Sequence, residues 1–210
     1  DSTRAALLAS SALTLALTTQ HQSGDGAYQT SGWFVASDVR ASGQAMARLQ
    51  LSPVHAFQRP DDGVAFDSTR NRLAGSAFLL SAGKVGGGIT RFSASYRRIA
   101  PGFDINDLGF LTLSGLQTVS TSTGISVTRP GAFAKIPYRR ATTMLAYGGS
   151  WSTTGLPYGR YLSLNVTAQV ANLGELNTTF RQELRGAFCS GCRRGGRALA
   201  LPHYFCTVNA

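Results

Sequence analysis

Four groups of residues have types and spacings that invite chemistry. Asp104, Asn106 and Asp107 would offer oxygen ligands to a cation. A helix–loop–helix calcium loop needs Asp or Asn at its fifth position and Glu at its twelfth. Counted from Asp104, those positions hold Leu108 and Gly115. The cluster therefore reads as a turn whose side chains satisfy backbone groups or meet Arg97 and Arg98. Cys189 and Cys192 have metal or redox spacing. Zinc needs four ligands, and only Cys206 and His203 lie nearby. A redox pair of the thioredoxin kind opens a helix in an α/β context, and no such helix is expected here. The pair reads as a loop disulfide in an oxidising compartment, with Cys206 left over. His21, His55 and His203 are scattered, and serine is too common for one nucleophile to stand out. Lys84 precedes Gly86, Gly87 and Gly88 with no helix behind them, so this is a hairpin turn and not a phosphate loop. No catalytic residue, metal or cofactor is expected.

The elements that must carry these residues show a period of two. Between Arg91 and Arg97, Phe92, Ala94 and Tyr96 alternate with polar residues, which marks a strand with one apolar face. That run breaks at Pro101-Gly102 and resumes near Phe110. Strands are likewise expected over Ala5–Leu17, Tyr28–Arg40, Gln44–Ser52, Leu73–Lys84, Phe110–Ser120, Gly124–Arg129 and Arg140–Thr153. Two more cover Leu162–Val170 and Leu176–Arg185, and a last one starts at Leu199. Ala5–Leu17 has the length of a signal-peptide core, but Asp1 precedes it where a basic region belongs. Turns are expected at Ser23–Gly26, Gly86–Gly88 and Gly155–Gly159. Pro53–Arg72 and Cys189–Gly196 read as loops.

Composition sets the outer bounds. Only 14% of the 210 residues are charged, against about 25% in ordinary soluble domains. The net charge is +10, yet the arginines alternate along strands instead of clustering, so a nucleic-acid partner is not expected. No run approaches the roughly 18 apolar residues of a transmembrane helix, which leaves a β-barrel open as a membrane class. Many expected strands run about ten residues, against about five or six in globular sheets. Tyr28, Trp33, Tyr147, Trp151, Tyr158 and Tyr161 fall near strand ends, as in interfacial girdles. The chain begins at Asp1 without Met and stops at Ala210 inside an alternating pattern. It reads as a single barrel unit, residues 1–210, cut at both ends.

If the apolar phase faces lipid, the opposite phase puts Arg48, Arg91, Arg97, Arg181 and Arg185 in the lumen, with Glu183 as their inward carboxylate. An arginine facing lipid at the bilayer midplane costs about 2–4 kcal/mol, which gives this assignment its energetic reason. Asp104 or Asp107 is expected to meet an arginine.

The segment PGFDINDLGF, which includes Pro101, Gly102, Phe103, Asp104, Asn106, Asp107, Gly109 and Phe110, resembles the signature of a bacterial family, domain of unknown function 5916. Gln58-Arg59-Pro60-Asp61, Asp67-Ser68-Thr69-Arg70 and Leu73-Ala74-Gly75 resemble the segment upstream of that signature. Arg194-Gly195-Gly196-Arg197-Ala198-Leu199 resembles a later element, with Arg197 where the family usually has Pro. The resemblance implies an antiparallel up-and-down transmembrane β-barrel of the bacterial outer membrane, often preceded by a carbohydrate-binding domain of the family 9 kind. It implies no activity. The expected function is a non-enzymatic surface or transport component with outer-membrane lipid around it and an anionic solute or acidic plug inside. The alternatives are a surface-anchored hydrolase acting on carbohydrate or lipid, and a soluble β-sandwich binding module.

Overall fold

The computed structural model describes residues 8–58, 64–106, 109–129, 131–133, 135–170, 174–184, 186 and 204–209. They form one sheet of ten strands, and every pairing is antiparallel. The strands are β1 (Ala9–Gln22), β2 (Tyr28–Ala41), β3 (Arg72–Lys84), β4 (Thr90–Ile99), β5 (Leu116–Val127), β6 (Gly131–Phe133), β7 (Ile136–Ser152), β8 (Pro157–Val170), β9 (Gly174–Leu184) and β10 (Tyr204–Asn209). Each pairs with its sequence neighbour, except that β6 folds back on β7 and leaves β5 to pair with β7. Among the described residues nothing joins β1 to β10, so the sheet is open.

One helix, α1 (Gly43–Leu51), interrupts the meander where a strand was expected over Gln44–Ser52. The alternation of Ala45, Ala47, Leu49 and Leu51 is real but loses to two other signals. The segment GQAMARLQL contains no β-branched or aromatic residue, and Ala, Met, Leu, Gln and Arg are good helix formers. Ser42 caps it, its hydroxyl accepting from the Ala45 N–H at 3.2 Å. Ala45, Met46 and Gln50 are the buried side chains, a helical spacing and not a strand one.

Smaller differences share one cause, which is that turns were placed by composition alone. Phe110–Ser120 does not start as a strand, because 109–115 belongs to an irregular connection and β5 begins at Leu116. Gly124 does not split β5. A Cβ there would collide with the Thr143 carbonyl and the Met144 side chain, so glycine serves a close strand contact instead of a turn. The turn between β7 and β8 lies at 153–156, and Gly159 is already in β8. Of the strand expected from Leu199, Tyr204–Asn209 forms β10, and 199–203 lie outside the described residues.

Register separates two faces, since residues paired across strands share a side and successive residues alternate. One face carries Leu13, Leu15, Leu17, Phe34, Leu80, Phe92, Ile125, Leu145, Leu164 and Phe180, all exposed. The other carries most of the serines and the asparagines of the same strands, among them Ser81, Ser93, Ser122, Asn165 and Asn177, while a few threonines such as Thr123 stay on the apolar face. On the polar face the buried core occupies one corner, where β2 ends and β3 begins. Ala77, Ile99, Phe103 and Leu111 form one cluster, flanked by Trp33, Val35, Val54 and Ile105. Met46, Phe57 and Leu73 form a second. Helix α1 and the segments 52–58, 100–106 and 109–115 thus cover that corner of the polar face. Trp33 and the buried Tyr158 are core residues and not interfacial ones.

Candidate functional site

The capped corner is built where β4 stops at Pro101-Gly102. Gly75 of β3 and Gly102 let two backbones touch. A Cβ on Gly75 would collide with Phe103 N, and one on Gly102 with the Ala74 carbonyl. Phe103 enters the core, and Asp104 beside it is buried. The Asp104 N–H donates to Ser37 Oγ at 3.0 Å, while its carboxylate accepts from the Asn106 N–H at 2.8 Å. Asn106 Oδ1 accepts from the Leu111 N–H at 2.9 Å, and the Gly109 N–H donates to the Ile105 carbonyl at 2.7 Å. Phe110 is 87% exposed and takes no part in the core. Asp107 lies outside the described residues.

Among the described residues no arginine meets Asp104; the partner is His55, whose Nε2 lies 2.9 Å from Asp104 Oδ2. His55 Nδ1 faces the Pro101 carbonyl at 2.8 Å and Ser114 Oγ at 3.0 Å. A serine, a histidine and an aspartate therefore come together, from positions far apart in sequence and with no motif to announce them. Sequence reasoning missed this cluster for that reason. Burial pushes the Asp104 carboxyl up, but the hydrogen bonds from His55 and from the Asn106 N–H outweigh it and hold it below the ordinary carboxylate range.

Burial is what sets the arrangement apart from an open catalytic site: Ser114 is only 3% exposed. A general base must offer a lone pair to the serine proton. The Pro101 carbonyl competes with Ser114 Oγ for His55 Nδ1, so that nitrogen is not reserved for the serine proton. Ser114 Oγ donates instead to the Val54 carbonyl at 3.1 Å. His55, Asp104 and Ser114 are all buried. The cluster is a clamp that ties segment 52–58 to segments 100–106 and 109–115.

The polar face is the second candidate. Register puts Arg91 and Arg97 of β4 and Arg181 of β9 on it. Arg48 is in α1 and not on a strand, so the alternation that assigned it a strand face does not apply to it. Arg185, Cys189 and Cys192 lie outside the described residues. The same register adds Arg140 and Glu175, which the sequence reading missed because both fall at strand ends. Four arginines thus face two glutamates there, Glu175 and Glu183, a net of +2 among the described residues. Between them run hydroxyl and amide contacts: Ser31 to Ser81 at 2.7 Å, Ser93 to Ser122 at 2.8 Å, and Asn165 to Asn177 at 2.9 Å. Among the described residues no three His, Cys, Asp or Glu side chains converge as a metal site would require.

No family model matches the chain, and no curated protein or solved structure is significantly similar to it.

Proposed function

We propose that the chain is wall of an outer-membrane β-barrel, a surface or transport component whose polar face lines a basic lumen. One observation carries this reading: an apolar face that no layer covers among the described residues. Leu13, Leu15 and Leu17 are 71%, 68% and 68% exposed, and large apolar side chains continue across the sheet to Phe180. A water-facing sheet of this size would bury that face against a second layer. Lipid is the layer that fits.

Two further features support it. The apolar belt is oblique. Leu13 aligns through Asp38 with Ala74, near the start of β3. Phe180 aligns through Leu164, Leu145, Thr123 and Phe92 with Lys84, the end of β3. Strands tilted roughly 35–45° to a membrane normal require such a slant for the belt to stay level. Charged residues also keep to the margins of this face, with Asp38, Arg72 and Arg98 at one end and Lys84 at the other. The likeness of Pro101–Phe110 to the family 5916 signature, and with it a bacterial outer-membrane location, belongs to the same proposal.

The test is reconstitution. The chain should fold into phospholipid vesicles, resist protease there and migrate differently on gels before and after heating. Folding to a soluble monomer without detergent would overturn the reading. In planar bilayers, reversal potentials should show anion preference if the lumen conducts, and cation preference would refute the charge argument.

A further inference from the structure

We infer that the polar face holds a subsite for a neutral solute with adjacent hydroxyls, built on Arg181, Glu183 and Tyr161. The inference rests on reading that face as a lumen wall, and names what the wall would bind. A cavity of about 250 Å³ opens over β5, β7, β8 and β9, and Thr118, Ser120, Ser150, Tyr161, Arg181 and Glu183 supply its polar groups. That is below the roughly 300–1,000 Å³ of pockets for drug-sized ligands, so it suits a single ring.

Its construction is specific. A Cβ on Gly148 would collide with the Tyr161 ring, so glycine is what allows that ring to lie flat against β7. The Arg181 guanidinium stacks on the ring, 3.8 Å from its centroid. Arg181 Nε donates to Glu183 Oε1 at 2.6 Å. Four layers therefore lie in sequence, Gly148, Tyr161, Arg181 and Glu183, and each fixes the next. Glu183 engages only Nε and one of its own oxygens, leaving the terminal N–H groups of the fork and a second carboxylate oxygen available among the described residues.

Charge selects the ligand class. The face as a whole is basic, but this ion pair sums to zero. An anion would meet Glu183, and a cation would meet Arg181. A neutral diol meets neither penalty. One hydroxyl donates to Glu183 while its neighbour accepts from Arg181, and the Ser and Thr hydroxyls can both donate and accept. The subsite thus departs from the anion preference expected of the whole lumen.

The experiment uses the full chain folded in detergent micelles, with glucose as probe and acetate as the anionic control, followed by saturation-transfer NMR. Glucose resonances should saturate and acetate should not. Arg181→Lys keeps the charge but loses the fork and the stack, and should weaken glucose at least tenfold. Ser93→Ala, on the same face outside the cavity, should leave it unchanged. Stronger acetate binding, no glucose binding, or unchanged binding in Arg181→Lys would each overturn the proposal. Binding in micelles does not require insertion. A chain that binds glucose but never enters vesicles sinks only the wall reading, and one that inserts without binding sinks only the subsite.

Discussion

The strands β7, β8 and β9 and the capped corner over β2, β3 and β4 share one backbone pattern and bury opposite amounts of side chain. In the wall, Leu145, Leu164 and Phe180 are 45%, 37% and 50% exposed. In the corner, Leu73, Ala77 and Ile99 are 2%, 1% and 8% exposed. Antiparallel pairing satisfies the backbone equally in both places. What differs is the side-chain layer: the corner makes its own from α1, 52–58, 100–106 and 109–115, and the wall leaves its apolar face to the surroundings. Hydrogen-bonded order and burial are therefore separate quantities in this protein, and only the corner combines them.

The sharpest way to break the comparison is Asp104→Ala. It leaves His55 buried without its carboxylate, a loss of about 3–5 kcal/mol. Hydrogen exchange should accelerate across α1 and 100–106 and stay unchanged in β8 and β9. Uniform acceleration would show that corner and wall are one cooperative unit.

Leu164→Arg probes the wall instead. Arginine on its apolar face should cost about 2–4 kcal/mol in vesicles if the residue lies near the midplane. Thr167→Arg, on the polar face of the same strand, should fold with nearly unchanged yield. Equal yields for the two would remove the membrane from the comparison.

Gln50→Leu tests how the corner is tied. Gln50 Oε1 accepts from the Asp67 N–H at 3.0 Å, and Nε2 donates to the Asp67 carbonyl at 2.9 Å. Losing both leaves half-buried backbone groups of Asp67 unpaired, a cost of about 1 kcal/mol or somewhat more, read as a lower denaturation midpoint. Ser42→Ala is the smallest, about 1 kcal/mol from the lost cap of α1.

Acidification should separate the two regions without mutation. The Asp104 carboxyl is depressed in the fold relative to the open chain. Its contribution is complete above the ordinary carboxylate value and disappears as pH falls through the depressed one. Exchange in 100–106 should rise in that acid window, ahead of exchange in the centre of β8.

Much of the wall is legible in the chain. Leu162 to Val170 and Leu176 to Leu184 alternate because each strand has one apolar and one polar face, and period two survives whatever the partner layer is. The hairpin at Gly86–Gly88 and the break at Pro101 are equally local, set by backbone freedom and by a missing donor. The corner is different. Residues 44–51 satisfy a strand pattern and a helical one together, and only contact with Phe57 and Leu73 makes the helical burial of Met46 decisive. The His55–Asp104–Ser114 clamp joins residues that no spacing rule connects, because the long excursion through β3 and β4 sets their distance. The stacking of Arg181 on Tyr161 likewise needed the register between β8 and β9. The sequence by itself determined most of the strands and the two faces of the clearest ones, since each depends on neighbours a few residues away. The tertiary structure alone decided which polar groups meet, since buried charge and hydrogen bonding are fixed by contacts between segments distant along the chain.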